Sequence, residues 1–591
     1  MPSQILLPQP NAYRSMSQVT GPVVLAASSA HADGRVGRDG ASAHQARSML
    51  KKSSSKRRDG RHPSSTPRLA RSSVLLWLLL PAGLLLLRGA ATYHRAARDA
   101  PCPSACAELA ASTTGPVTCD IERYAFGWGN RICEGILPLC VLRPAGAEDV
   151  AVAVRTARKH DLPLSVRSGG HSYTCNSVKP GSLHVDLRSL DAVSVHPAAG
   201  GRAGTELTTG AGNNMRQLLD ALPAGLMIVH GQCPTVGAGG LFLHGGYHTS
   251  LTLKYGRGND TVTAMEVVTA NGTVLQLSDA SPPAQQDLWR AMRQAGSSFA
   301  VATRITVKVI DDLPAGTPTD GGDFFALDVP RATMLKLVER GAQDGKGQLN
   351  YIHVNGVDFL IAAASTNWRE NAAWLEGVVG RPLRPLERLR SRLVHFFEQP
   401  VSLRRGGADA KFGKSGAVPY LLSSQEAFSD VSVILPLSCY VQPQMQTLLA
   451  ALPDERDPST GLGCYLQVTT TYGKGKAFID YNCAYSSEWY RARQRKLNAQ
   501  VEALCPVGIE RYVNTPSAFL APRDYYSNYD ELAAAKARWD PDEVIRVYQG
   551  VRPTGKPPDA FEFWPAYVRT WSPADRLMGA AWSLMARFVL R

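Results

Sequence analysis

Two glycine-rich segments constrain the fold of this chain more than any other feature. The first, Arg167-Ser168-Gly169-Gly170-His171-Ser172, follows a short apolar strand pattern at residues 162–167. The second covers residues 231–240, reads GQCPTVGAGG, and has Cys233 near its start. Glycines at such positions let backbone N–H groups come close to a pyrophosphate. Neither segment has the Lys-Ser/Thr ending of a phosphate loop or the GxGxxG spacing of a dinucleotide fold, so ATP and a Rossmann-bound NAD are disfavoured.

Hydrophobic periodicity around the two segments predicts an α+β fold rather than a regular doubly wound one. A helix is expected to begin at Ala147, with Glu148 and Asp149 in its first turn, and to end near Lys159. Asn271-Gly272 predicts a hairpin turn between two strands within residues 264–277. The other expected elements are strands at 162–167, 183–187 and 205–210 and helices at 213–219 and 530–539.

The length of the chain predicts more than one packed unit. Its 591 residues, 44% of them hydrophobic, exceed the usual size of a single domain. Residues 310–504 alternate strand-like and helical patterns without a chemical motif, and we interpret them as a second α+β domain. The tail at 553–591 is aromatic and basic, and is either a core-packing helix or an element at a membrane surface.

Positive charge is concentrated at the N-terminus. The formal net charge is +14, and residues 1–71 contribute +9 of it, from twelve Lys and Arg against three Asp. The rest is near neutral, so nucleic-acid binding is not expected of the folded part. Residues 1–71 have no sustained apolar period and are predicted to be disordered. Their cluster at 51–58 is a nuclear-import or polyanion-binding element or, as we prefer, a topology signal.

An uncharged apolar run at residues 72–87 follows the basic head and predicts export. Its sequence, SSVLLWLLLPAGLLLL, is shorter than the roughly 20 residues of a membrane span. Residues 72–95 are therefore expected to be a signal peptide, cleaved near Gly89-Ala90-Ala91, or an uncleaved signal anchor with a cytoplasmic N-terminus. Both alternatives place the remaining chain in the secretory pathway, either membrane-anchored through 72–87 or secreted.

The cysteine content also indicates an oxidising compartment. Cys233 lies in the second glycine-rich segment and is considered separately below. The other ten of the eleven cysteines permit up to five disulfides. Residues 96–135 form a cysteine-rich lead-in to the folded part. No histidine accompanies these cysteines at zinc-finger spacing, so no metal site is expected. Asn259 and Asn271 fit the N-glycosylation pattern.

Several motifs in a fixed order make the sequence similar to a known family. They are AEDVAVAVRTARKHDLPLSVRSGGHSY from Ala147, HVDLRSL from His184, the segment at 231–240, then GGY, KYG and MEVVTANGTV. In this order they resemble the PCMH-type FAD-binding domain of the berberine-bridge-enzyme-like branch of the vanillyl-alcohol-oxidase superfamily. Residues 512–514 and 525–550 resemble the closing segment of that family. The resemblance is strong over 136–309 and 508–552 and only general in the middle third.

The resemblance implies an FAD-binding domain at 136–309, a substrate domain at 310–504, and a C-terminal segment at 505–552 that returns to cover the flavin. It also implies a bicovalent FAD, joined at its 8α-methyl to His171 and at C6 to Cys233. Two links would raise the redox potential of the flavin and fix its ring in a wide cleft. Each residue also has a simpler interpretation, as a hydrogen-bonded loop histidine and as an inert thiol or disulfide partner. The further cofactor-binding residues that the motifs imply are Arg167, Ser168, Gly169, Gly170, Ser172, Val236, Gly237, Gly239, Gly240, Gly246 and Asn514.

The sequence departs from the family pattern at positions expected close to the cofactor. His244 and His248 stand where the family's GGGYG has glycine, and Leu241 replaces a frequent histidine. Many members use a Tyr directly after Tyr-x-Asn as the catalytic base, and this chain has Thr515 there, which cannot be that base at ordinary pH. Residues 478–489 resemble the strand that faces the flavin in relatives. The groups expected to act instead are Tyr247, Tyr512, Tyr481 and Asn482.

Together these features predict an FAD-dependent oxidoreductase. We expect it to transfer a hydride from an alcohol-like or amine-like C–H of a small molecule to flavin N5, and then to O₂ with release of H₂O₂. Val236, at a loop position where oxygen-using relatives keep a modest aliphatic side chain, favours an oxidase over a dehydrogenase. The alternative is a flavin-binding secretory protein that kept the fold and lost turnover. Carbohydrate oxidation and oxidative cyclisation of a secondary metabolite both stay open.

Overall fold

The computed structural model describes most of the chain after residue 101. The described residues are 102–121, 133, 136–196, 204–231, 233–248, 251–312, 322–344, 348–354, 357–365, 367–398, 429–455, 464–473, 475–483, 488–517 and 520–557. They belong to one compact unit within 89–591. The predicted disordered head, the apolar run at 72–87 and the tail after 557 lie outside them. Within the described ranges, no helix is both long enough and apolar enough to cross a membrane.

The first part of the fold is built on a small sheet. Its elements are α1 Ser104–Ser112, β1 Val117–Thr118, β2 Cys140–Leu142, α2 Ala147–Lys159, β3 Leu164–Arg167 and β4 Leu183–Asp186. The strand order is β1-β2-β4-β3, in which β4 runs parallel to both β2 and β3. Helix α2 carries Glu148 and Asp149 in its first turn and Arg158 and Lys159 in its last, which suits the helix dipole. It begins and ends as the sequence predicts.

A five-stranded antiparallel sheet follows. Its elements are β5 Val193–His196, β6 Glu206–Gly210, α3 Met215–Ala221, α4 Ala238–Leu243, α5 Thr252–Tyr255, β7 Val262–Thr269, β8 Val274–Ser278, α6 Gln286–Ala295 and β9 Ala300–Lys308. The strand order is β5-β6-β9-β7-β8. Gly272 has a φ of +79° in the turn between β7 and β8, which confirms the predicted hairpin. A single apolar core joins the two sheets through α2 and α6.

The third sheet has seven strands and its own core. Its elements are β10 Asp323–Phe325, α7 Arg331–Asp344, β11 Gln348–Val354, β12 Val357–Ala363, α8 Trp368–Val379, α9 Pro385–Glu398, β13 Ser429–Pro436, α10 Leu437–Tyr440, α11 Pro443–Ala451, β14 Tyr465–Gly473, β15 Lys476–Cys483, α12 Glu488–Leu504 and β16 Glu510–Arg511. The strand order is β10-β12-β11-β14-β15-β13-β16, antiparallel throughout. Helices cover one face and bury a second apolar core there.

The C-terminal segment returns from the third sheet to the first part of the fold. Helix α13, Tyr529–Trp539, packs on α6, and Leu532 and Val551 belong to the first core. Asn176, in the loop after His171, donates to the Tyr548 carbonyl at 3.2 Å and accepts from its N–H at 2.6 Å. The α+β fold with a returning C-terminal segment is therefore confirmed.

Disulfides staple this unit, as the cysteine content predicts. The described pairs are Cys102–Cys119, Cys106–Cys140, Cys133–Cys175 and Cys439–Cys505, and Cys464 is also disulfide-bonded. Cys233 is the free cysteine of the described part. Of the two asparagines that fit the glycosylation pattern, Asn259 is buried and Asn271 is exposed.

Candidate active site

The two glycine-rich segments meet directly. A Cβ on Gly169 would lie 2.3 Å from the Gly237 nitrogen, and a Cβ on Gly237 would lie 2.2 Å from the Gly169 nitrogen. No side chain fits at either position, which explains why both segments have glycine there. Val236, directly before Gly237, packs partly against the first core. The contact places the loops that carry His171 and Cys233 side by side.

Ser168 fastens this contact. Its hydroxyl donates to the Ala211 carbonyl at 2.6 Å and accepts from the Gly239 N–H at 3.2 Å. Gly170 has a φ of +79°, which turns the chain sharply before His171. Gly240 is exposed, and apart from its own helix and chain neighbours no atom of the described residues lies within 4 Å of a Cβ position there, so the space beside it is open. The second segment thus offers backbone to an open space rather than side chains.

One hydroxyl lies between the two residues predicted to bind the flavin covalently. His171 Nε2 is 2.8 Å from Thr235 Oγ1, and Cys233 Sγ is 3.5 Å from the same oxygen. The nitrogen and the sulfur are therefore at most 6.3 Å apart, the sum of those distances. Two nucleophiles from different segments thus lie within the width of one fused ring system.

The electrostatic surroundings keep His171 neutral at neutral pH. Burial, together with the nearby charge of Arg167, lowers the pKa of His171 to about 4. Arg167 is itself fully buried at the end of β3, and burial lowers its pKa to about 9. Ser172 accepts from the Asn176 N–H at 3.0 Å and so fixes the turn after His171.

The C-terminal segment closes on the turn after α4. Asn514 Nδ2 donates to the His244 carbonyl at 3.4 Å and to the Tyr512 hydroxyl at 3.2 Å. Gly245 and Gly246 form the turn with positive φ, and a Cβ on Gly245 would lie 3.2 Å from the Tyr512 ring. Burial raises the pKa of Tyr512, so its phenol stays protonated at neutral pH.

Tyr247 and Tyr512 both contact the seven-stranded sheet through Phe478 of β15. The Phe478 ring centroid is 6.1 Å from that of Tyr247 and 5.9 Å from that of Tyr512. The Tyr247 hydroxyl also donates to Thr469 of β14 at 3.4 Å. A Cβ on Gly231, which begins the Cys233 loop, would lie 4.0 Å from the Tyr247 carbonyl. The glycine-rich loops, the sheet and the C-terminal segment therefore converge at one place, the candidate active site.

Tyr481 does not lie at this convergence. Side chains alternate along a strand, and Tyr481 points with Ile479 into the second core, where it is fully buried. Phe478 occupies the opposite face of the same strand. Asn482 pairs through its backbone with Tyr465, and its side chain lies outside the described residues.

The same alternation brings Asp480 to the site, a residue that the sequence analysis missed. Ser432 donates from Oγ to Asp480 Oδ1 at 2.8 Å, and the Thr515 hydroxyl donates to Ser432 Oγ. Asp480 also adds to the rise in the pKa of Tyr512 that burial causes. The sequence could have indicated Asp480, because it lies two residues after Phe478 and residues i and i+2 of a strand share a face.

The bulky residues that replace family glycines and histidine are packed inside the protein. His244 Nε2 accepts from the Ser297 N–H at 3.4 Å, and burial lowers its pKa to about 4. His248 is fully buried, edge-on to the ring of His230 at 4.6 Å between centroids. Leu241 is buried in the first core. Leu241 and His248 are therefore buried in the first part of the fold, and His244 is half-buried there.

Comparison with known proteins supports this assignment. Residues 138–278 match the family described as FAD binding domain, and residues 511–552 match the family described as berberine and berberine like. The FAD-linked oxidoreductase easE of Arthroderma benhamiae is 37% identical over 193 residues, 31% of this chain and 38% of that protein. The VAO-type flavoprotein oxidase VAO615 of Thermothelomyces thermophilus is 26% identical over 458 residues, 71% of this chain and 76% of that protein. The chain thus matches less than half the length of easE.

The fold is also that of solved flavoproteins. The xylooligosaccharide oxidase of Myceliophthora thermophila C1, in complex with xylobiose, has a TM-score of 0.59 at 19% identity, over 77% of this chain and 100% of that chain. The two matched segments contain the residues that converge at the candidate active site. The first segment includes His171 and Cys233, and the second includes residues 512–515. The resemblance expected from the sequence is therefore confirmed: the chain contains the FAD-binding domain and the berberine-like domain, and its relatives include FAD-linked oxidoreductases and a VAO-type flavoprotein oxidase.

Proposed function

We propose that the protein holds FAD through His171 and Cys233 and oxidises a small molecule, with O₂ as the final electron acceptor. The supporting observation is that the loops of the two nucleophiles contact each other, and that Gly231, at the start of the Cys233 loop, lies beside Tyr247, which contacts β15. The residues fit the cofactor, because the paired glycines bring the two loops together and the space beside Gly240 is open. Bound FAD would supply the hydride acceptor, N5.

The chain offers separate groups for the two ends of the cofactor. The backbones of the two glycine-rich segments would hold the pyrophosphate, since N–H groups at such turns bind anions. His171 and Cys233 would hold the ring. Gly246 and Asn514 lie where the C-terminal segment closes, which would keep water from the reacting atoms.

The site also offers a route for the proton that leaves the substrate. Hydride removal from an alcohol or an amine releases a proton from O–H or N–H, and a positioned base speeds the step. Thr515 is a poor base, but its hydroxyl contacts Ser432, which donates to Asp480. Tyr512 is less suited because burial raises its pKa. We assign Asp480 as the base, reached through Ser432 and Thr515.

Asp480→Asn tests this route. Flavin reduction, measured anaerobically by stopped flow, should slow by about 10²–10⁴-fold, while the flavin content stays unchanged. Tyr481→Phe is the matched control, because it alters the neighbouring residue on the other face of β15 and should leave the rate close to that of the unmodified protein. Unimpaired reduction in Asp480→Asn, with loss of reduction in Tyr512→Phe or Tyr247→Phe, would move the role to a phenol.

The oxidase activity needs a separate measurement. Reduction should be tried with oligosaccharides, aromatic alcohols and alkaloid amines, with peroxide measured after O₂ is admitted. Oligosaccharides come first because the xylooligosaccharide oxidase shares the fold. Reduction without peroxide would refute the oxidase proposal. Retained FAD without reduction by any of these would favour the alternative, a flavin-binding protein that lost turnover, which Thr515 in place of Tyr suggests.

Flavin attachment is tested by denaturation. Acid-precipitated protein should stay yellow, and its intact mass should exceed that of the polypeptide by one FAD. Cys233→Ala and His171→Ala should each keep a covalent flavin, since each bond uses a different ring atom, and only the double variant should release it. Free FAD released from the unmodified protein would refute the covalent links. A colourless, folded protein would refute the flavoenzyme itself.

We also propose that the protein enters the secretory pathway through residues 72–95, as a secreted or anchored chain. Its disulfides support an oxidising compartment. N-terminal sequencing of the mature protein distinguishes cleavage near Ala91 from an intact anchor, and alkaline extraction of membranes gives a second readout. A protein found with its N-terminus intact in the cytosol would contradict the proposal.

A further inference from the structure

Thr235 has no part in the oxidation proposed above, yet its hydroxyl contacts both residues that would bind the flavin. We propose that Thr235 is a positioning residue for covalent attachment, accepting the Nε2 hydrogen of His171 and donating its own hydrogen to Cys233 Sγ. The inference rests on the proposed bicovalent FAD. In this proposal the Thr235 side chain orients both His171 and Cys233 for bond formation with the flavin.

The contact with His171 selects which ring nitrogen is nucleophilic. A neutral imidazole carries hydrogen on only one nitrogen, so an N–H on Nε2 leaves the lone pair on Nδ1. Nε2 is 2.8 Å from Thr235 Oγ1, while no hydrogen bond within the described residues engages Nδ1. With the opposite hydrogen-bond direction, Nδ1 would carry the hydrogen and could not attack a carbon.

The same hydroxyl then faces the thiol. Because Thr235 Oγ1 accepts from His171, its single hydrogen is left for Cys233 Sγ at 3.5 Å. This hydrogen bond holds the sulfur in place beside His171. One orientation of one hydroxyl therefore prepares both groups.

The surroundings hold Thr235 in place. It is 5% exposed, and a Cβ on Gly169 would lie 2.8 Å from the Thr235 carbonyl, so its backbone belongs to the contact between the two glycine-rich segments. The hydroxyl is thus fixed by the element that also fixes the loop of His171.

The bonds balance with O₂ as the oxidant. Each attachment joins a protein nitrogen or sulfur to a flavin carbon, with loss of one hydrogen from the protein and one from that carbon. The two electrons and two protons reduce one O₂ to H₂O₂ for each bond formed. When Nδ1 of His171 forms its bond, the proton to be lost is the one on Nε2, and Thr235 Oγ1 is the atom in contact with it.

Thr235→Val tests the proposal, since valine keeps the shape and removes the hydroxyl. Apoprotein is mixed with FAD under air, and the covalently bound fraction is followed by intact mass after acid quench. Attachment should be slower by at least about 10²-fold, the low end of what a positioned proton acceptor contributes. Thr235→Ser should restore most of the rate. Non-covalent FAD binding, measured by fluorescence quenching, should persist in both variants.

Variants that can form only one of the two covalent bonds test the two contacts of Thr235 separately. In Cys233→Ala only the histidyl bond forms, and in His171→Ala only the cysteinyl bond forms, and Thr235→Val should slow both. A merely structural role would not give recovery with serine, which restores the hydroxyl but not the methyl group of threonine.

Three results would overturn the proposal. They are unchanged rates in Thr235→Val, slowing in one background alone, and failure of serine to restore a variant that still binds FAD. If Thr235→Val does not fold, Thr235→Ala carries the same expectation without a branched side chain. An unmodified protein that binds FAD but never attaches it refutes the bicovalent cofactor instead, so the two failures are distinguishable.

Discussion

Lys536→Met should strongly destabilise the attachment of the C-terminal segment. Lys536 is 1% exposed, and its Nζ donates to the carbonyls of Ser298 and Ile545 and to Asp540 at 2.5 Å. Asp540 is fully buried and also accepts from the Val544 N–H at 2.8 Å. Methionine keeps most of the packing but leaves a buried carboxylate without its cation.

The magnitude follows from that unpaired charge. Removing one partner of a buried ion pair costs about 3–5 kcal/mol, and two buried carbonyls also lose a donor. At about 1 °C per kcal/mol for a unit of this size, the melting temperature should fall by roughly 3–5 °C. Lys536→Met combined with Asp540→Asn should be less destabilised than Lys536→Met alone, because the double variant has no unpaired charge.

The assay is thermal melting at a fixed scan rate, followed by tryptophan fluorescence and by flavin release. The matched control is Arg523→Met in the exposed Arg523–Asp530 pair, whose side chains are 63% and 83% exposed, and whose loss should change the melting temperature little. A Lys536→Met melting temperature equal to that of Arg523→Met would refute the reasoning. So would a double variant no more stable than the single one.

Three further outcomes are expected. Burial lowers the pKa of four histidines, so below about pH 6.5 they take up protons when the protein unfolds. The free energy of unfolding should therefore fall as the pH decreases from about 6.5 to 4. Melting temperatures that stay constant between pH 7 and pH 4 would contradict this. The four histidines are His171, His184, His230 and His244, with pKa values of about 4, 3, 4 and 4. Gly169→Ala should abolish FAD retention, because its Cβ would lie 2.3 Å from the backbone of Gly237. Gly240→Ala is the control, since its Cβ would meet no neighbouring atom within 4 Å, and its apoprotein should have the melting temperature of the unmodified apoprotein. Asn176→Ala should speed hydrogen exchange at Tyr548, measured by mass spectrometry, because both of its bonds to that backbone are lost, and unchanged exchange would contradict the clamp.

Local elements next to the motifs could be predicted because their signals are local. Acidic and basic residues mark the two ends of α2, and Asn271-Gly272 selects the turn of the β7–β8 hairpin. The order of the seven-stranded sheet could not be predicted. Its neighbours β11 and β14 are far apart in sequence, and nothing local specifies that they pair.

The candidate site shows the same division. The glycine-rich loops were visible as motifs, but their direct contact at Gly169 and Gly237 was not. Tyr481 was chosen on the correct strand and lies on the other face, because a shift of one residue exchanges the two faces. Asp480 needed the register of β13 against β15, in which Ser432 is its direct partner.

The two halves of the site share a chemical arrangement. Thr235 stands between His171 and Cys233, and Ser432 stands between Thr515 and Asp480. A hydroxyl has one hydrogen to donate and two lone pairs, so in each half one neighbour fixes the direction of the bond to the other. At Thr235 the direction is that of the proposed tautomer, in which His171 Nε2 donates, whereas at Ser432 a carboxylate, which can only accept, sets it. Because the sheet supplies that carboxylate, a chain with Thr515 in place of the family tyrosine still has a proton acceptor connected to the position that the tyrosine would occupy.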